Sequence, residues 1–122
     1  MNKKTKSTIK DGWDFANIDA LEKLVMALNN KNERILFFAL MDMATRDKLI
    51  ISLNPTEIAK DIKVNHQTIS KTLDKFQELD YIKKVKEVED ILVYKLNPYV
   101  YIPSTMESKD ITAVQIEWDT IY

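Results

Sequence analysis

Asn54-Pro-Thr-Glu-Ile-Ala-Lys-Asp-Ile-Lys-Val-Asn-His-Gln-Thr-Ile-Ser-Lys-Thr-Leu73 is the stretch that decides the fold. Asn54 begins a helix with Pro55 at its first position, where the missing N–H costs nothing. Ile58, Ala59 and Ile62 follow at helical spacing, and the chain turns at Lys63-Val64. Asn65 then caps a helix whose apolar stripe is Ile69, Leu73, Phe76 and Leu79. Two short amphipathic helices about three residues apart, with small Ala59 at their crossing, predict a helix-turn-helix. Lys63 stands where glycine is usual in the turn, so it is expected in the left-handed region at modest cost.

The flanks complete the picture. Leu49 to Leu53 is short and β-branched and predicts a strand. Beyond the motif, strands over about 82–88 and 91–97 join at Glu89-Asp90, with Leu92, Tyr94 and Leu96 alternating against Val93 and Lys95. Asn29-Asn30-Lys31-Asn32 stops one helix (Leu21, Leu24, Val25, Leu28, capped by Asn17 or Asp19) and caps another over about 33–45. That second helix carries Ile35, Leu36, Phe38, Ala39, Leu40 and Met43, and is expected to be buried and central. Asn97-Pro98 ends the hairpin, Tyr99 to Ile102 resumes as extended chain, and alternating Val114, Ile116 and Trp118 predict a further strand. The fold class is therefore α+β: a winged helix-turn-helix over 13–103, with an extra N-terminal helix, a basic arm at 1–12 and a C-terminal strand extension at 104–122.

Composition narrows the function. The 122 residues include no cysteine, one histidine and one glycine, which excludes thiolate zinc sites, two-histidine metal sites and glycine-rich phosphate loops. Neither cofactor nor metal is expected. Tyr94, Tyr99, Tyr101 and Tyr122 stand beside no metal-ligand cluster, so an enzyme is not expected. The longest apolar run, Ile35 to Met41, is far short of the ~20 residues of a membrane span. A soluble cytoplasmic protein with no membrane contact is predicted.

The net charge is −1, but its distribution is uneven. From Lys60 to Lys86 seven lysines face four acids, and residues 1–10 carry four lysines and no acid. A helical wheel set by Ile69, Leu73 and Phe76 turns Gln67, Lys71, Asp74 and Glu78 outward, flanked by His66 and Ser70 on one side and Thr68 and Lys75 on the other. Asn65, His66, Gln67, Thr68, Ser70 and Lys71 suit base edges and phosphates, while Asp74 and Glu78 repel phosphate. Lys75 and the hairpin's Lys83, Lys84 and Lys86 are expected on neighbouring backbone. Sequence-specific binding of double-stranded DNA is the leading expectation, with a transcriptional regulator as one form of it. A winged helix used for protein contacts is the alternative. The aromatic residues Trp13, Phe15, Trp118 and Tyr122 are expected to pack in the core or at a homodimer interface formed by 13–28 and the strand near 114–118.

From Leu28 to Ile102 the sequence resembles the Firmicute plasmid replication proteins of the RepL type. The resemblance rests on Thr56-Glu-Ile-Ala-Lys, Gln67-Thr68, Tyr81-Ile-Lys-Lys, Leu96-Asn97-Pro98 and the ending Glu117-Trp118. It implies origin binding at the start of plasmid replication and copy control, with host replication proteins as partners and no nuclease or polymerase activity.

Overall fold

The computed structural model describes residues 15–121. Along them run β1 (Phe15–Ala16), α1 (Ile18–Met26), α2 (Lys31–Met43), β2 (Ile50–Leu53), α3 (Pro55–Ile62), α4 (His66–Glu78), β3 (Ile82–Val88), β4 (Ile91–Leu96), β5 (Tyr101–Ile102) and α5 (Ser108–Ile121). The protein is α+β. β2, β4 and β3 form an antiparallel sheet in that order, and β1 pairs with β5. Helix, strand, helix, turn, helix and hairpin follow one another in the order of a winged helix-turn-helix.

Asparagine starts four of the helices. The side chains of Asn17, Asn30, Asn54 and Asn65 accept from backbone N–H groups in the first turns of α1, α2, α3 and α4. Each such cap contributes about 1 kcal/mol over alanine. Within the Asn29–Asn32 stretch it is Asn30 that caps α2, so the helix begins at Lys31, two residues ahead of the sequence reading. Glu33 reinforces the start by accepting from the Asn29 N–H at 2.7 Å.

The core gathers on α2 and α4. Phe37, Phe76 and Tyr81 are fully buried, with Tyr81 stacked on Phe37 at 4.1 Å between ring centroids and edge-on to Phe76 at 5.5 Å. The Tyr81 hydroxyl donates to the Phe37 carbonyl at 2.8 Å, and burial, with a smaller push from Tyr101, raises its pKa above the usual tyrosine value. The buried side of α2 is Leu36, Phe37 and Leu40. Phe38, expected inside, is half exposed because only one side of α2 meets α4 and the sheet.

Among the described residues, four non-glycine residues sit at positive φ: Leu49, Lys63, Asp80 and Glu89. Each costs on the order of 1 kcal/mol. Lys63 ends α3 at φ 58°, ψ 47°, the left-handed turn that the sequence required. Leu49 is held by burial and by hydrogen bonds from its N–H to Thr45 and to its carbonyl from Leu96. Asp80 is held by Asn97, whose amide donates to the Asp80 carbonyl at 2.7 Å, whose N–H donates to Tyr81 and whose side-chain oxygen accepts from Tyr99. The Leu96-Asn97-Pro98 closure is thus a structural staple between the end of α4 and the end of the hairpin.

The strand expected at 114–118 is instead part of α5. Ile111, Val114, Trp118 and Ile121 recur at 3, 4 and 3 residues, a helical stripe, and Val114 and Trp118 are buried while Ile116 stands out in solvent. The alternation of 114, 116 and 118 is incidental to that stripe. α5 lies against the sheet: Lys83 donates to the Trp118 carbonyl at 2.8 Å, Lys95 pairs with Glu117 at 3.1 Å, and the Tyr99 hydroxyl donates to Asp119 at 2.9 Å. The hydrogen bond to Asp119, helped by slight desolvation, raises the Tyr99 pKa. Trp118 therefore packs on its own sheet, and the segment expected as a strand of the dimer interface is helical. Trp13, Tyr122 and the arm at 1–12 lie outside the described residues.

Candidate nucleic-acid interface

Helix α4 presents its first half to solvent. The Asn65 side chain accepts from the Gln67 N–H at 2.7 Å, which fixes the first turn. Asn65, His66, Gln67, Ser70 and Lys71 are all exposed, while Ile69, Thr72, Leu73 and Phe76 are buried beneath them. Thr68 lies at the edge, half buried, with its carbonyl accepting from the Thr72 hydroxyl at 2.7 Å. Lys71 has no ion-pair partner among the described residues, and neither have Lys60 and Lys63 on α3 and the turn. The last two are exposed, Lys60 near the end of α3 and Lys63 in the turn before α4, positions outside the wheel of α4.

The remaining lysines go elsewhere. Lys75 turns back across α4 and pairs with Glu33 of α2 at 2.8 Å, both side chains being largely covered. Partial burial pushes the Glu33 carboxyl up, but the bonds from Lys75 and Asn29 outweigh it and hold its pKa below the usual glutamate value. Lys83 donates to Trp118 and lies 4.4 Å from the indole centroid, a cation–π contact of about 0.5–2 kcal/mol. Lys84 pairs with Glu87 at 2.8 Å. Lys86 is exposed but stands opposite Val93, on the sheet face away from α4.

Between α4 and the hairpin runs an open groove of about 570 Å³. His66, Ser70, Asp74 and Gln77 form one wall and Lys84, Glu87, Glu89 and Asp90 the other, with Leu73, Leu92 and Tyr94 below. Glu57 and Lys60 enter from α3. Its lining therefore holds five carboxylates and two lysines, a negative surface beside the polar ridge of α4. No group of three or more His, Cys, Asp or Glu residues among the described residues is placed to hold a metal ion.

A family model described as "Archaeal putative transposase ISC1217" matches residues 4–109. The chain belongs to that family. The match runs through both helices of the motif, the whole hairpin and the start of α5. It overturns the likeness to RepL-type plasmid replication proteins, and the roles of replication initiator, copy-control protein and transcriptional regulator fall with it. The residues behind that likeness have local explanations: Thr56-Glu-Ile-Ala-Lys is the first helix of the motif, and Asn97 is the staple described above. Glu117-Trp118 lies in α5, not in a terminal strand. Among curated proteins, none matches this transposase-family chain. No helix among its described residues is long and apolar enough to cross a membrane.

Proposed function

We propose that this chain is a DNA-recognition module of its transposase family, which reads duplex DNA with the first half of α4. The observation that carries the reading is the exposed row of Asn65, His66, Gln67, Ser70 and Lys71 above a buried stripe. Such a row fits the major groove end-on, with Gln67 able to pair bidentately with adenine and Lys71 to meet a phosphate. Lys60 lines the groove with His66 and Ser70, and Lys63 is exposed in the turn just before α4. Recognition is the part assigned to this chain, and no strand cleavage is assigned to its residues. A helix this short reads few base pairs, so pairing of two copies on one duplex belongs to the same reading.

The test is selection of a preferred duplex from a random pool, followed by anisotropy titrations across salt, which also give the stoichiometry. Affinity is expected to fall steeply with salt. Gln67→Ala is expected to lose roughly 1–3 kcal/mol of discrimination at one base position. Lys71→Ala is expected to weaken all sequences alike and reduce the salt slope by about one unit. A flat salt response, or no duplex bound at about 50–100 mM salt, sinks the reading and leaves a winged helix that contacts protein.

A further inference from the structure

A bulge in β3 decides which charges the hairpin turns toward α4. Residues paired across two strands share a face of the sheet. Lys84 pairs with Tyr94 and Glu87 with Leu92, and these four line the groove. Between them the register slips: Lys86 pairs with Val93, on the face that carries Lys83 and Lys95. In an unbulged ladder Lys86 would stand opposite Leu92 and enter the groove. The extra residue turns Lys86 out and brings Glu87 in. The Lys84 ammonium is already engaged by Glu87. Beyond it the tip supplies Glu89 and Asp90, exposed and facing Asp74 across the groove.

We infer that the hairpin is a repulsive element for DNA rather than a backbone clamp, an inference that rests on the DNA reading above. A duplex seated on the first half of α4 brings phosphates past the hairpin tip, where Glu87, Glu89 and Asp90 oppose them. The penalty falls on every sequence, so non-specific occupancy stays low and only a site that adds base contacts is held. The same repulsion tilts the duplex toward the turn between α3 and α4, where Lys63 is exposed. The acids are too dispersed for a bridging cation to reverse their sign, since no three of them converge as metal ligands among the described residues.

The experiment compares the full chain with its Glu87→Gln/Glu89→Gln/Asp90→Asn variant and with Lys63→Gln on a mixed-sequence duplex. All four side chains are exposed, and melting curves confirm that the fold is retained. The triple variant is expected to bind roughly three- to tenfold more tightly at about 0.1 M salt, the scale of three screened surface charges. Lys63→Gln is expected to move affinity in the opposite direction. If the triple variant binds equally well or more weakly while the unaltered chain binds DNA, the inference is overturned and the DNA reading stands. If neither protein binds any duplex, the DNA reading fails and takes the inference with it.

Discussion

Lys71 on α4 and Lys83 on β3 belong to one basic segment, yet one stands in solvent and the other lies against an indole ring. The difference comes from what packs behind each element. α4 buries one stripe against α2 and the sheet, and nothing among the described residues covers the first half of its opposite side. β3 is an edge strand of the sheet, and α5 lies against its outer face and engages Lys83 there. Edge strands are often covered or charged to prevent pairing with other chains. Local positive charge is therefore a poor guide to a DNA face where a neighbouring helix supplies carbonyls and aromatic rings.

The sharpest way to break this contrast is to remove the ring. Trp118→Ala is expected to cost about 3–5 kcal/mol of stability, as for other buried aromatic residues, measured by denaturant unfolding. Per folded molecule, its DNA affinity should change little. A Trp118→Ala protein of unaltered stability would mean that α5 does not anchor the back of the sheet.

A smaller effect is expected at Lys75, which the wheel assigned to DNA and the fold assigns to Glu33. Lys75→Met should destabilise by about 1 kcal/mol near neutral pH, a partly screened ion pair, and leave DNA affinity unchanged. The folded Glu33 pKa lies below its ordinary value of 4.5, so its stabilisation is present above 4.5 and is lost as pH falls through the folded value. The gap between the two proteins should accordingly close on acidification. A gap that widens toward acid, or a loss of DNA binding at neutral pH, would return Lys75 to the interface.

The smallest effect is expected at Lys86, turned to the far face by the bulge. Lys86→Ala should change stability by less than about 0.5 kcal/mol and DNA affinity by less than twofold. A drop in salt slope of about one unit would instead place Lys86 on phosphate and put the hairpin back in the role of clamp.

Much of this was legible in the chain itself. The stripe Ile69, Leu73, Phe76 fixed the phase of α4, and with it the exposure of Gln67 and Lys71. The hairpin ends at Glu89-Asp90 appear where the alternation placed them. α5 was also legible, through Ile111, Val114, Trp118 and Ile121, but a shorter alternating pattern inside it points to a strand. Over so few residues, periods of 2 and 3.6 select overlapping positions. Val114 and Trp118 satisfy both.

What the sequence determined alone is local: the asparagine caps at Asn54 and Asn65, the left-handed turn at Lys63 and the buried stripe of α4, each set by chemistry within a few residues along the chain. What only the tertiary structure decided is where the charges end. Lys75 meets Glu33 from 42 residues away, Lys83 meets Trp118 from 35 away, and one bulged residue exchanges Lys86 for Glu87 in the groove. A long flexible cation takes the partner that the packed elements bring within reach, and the side of a strand inverts with each added residue. Neither depends on its neighbours in sequence.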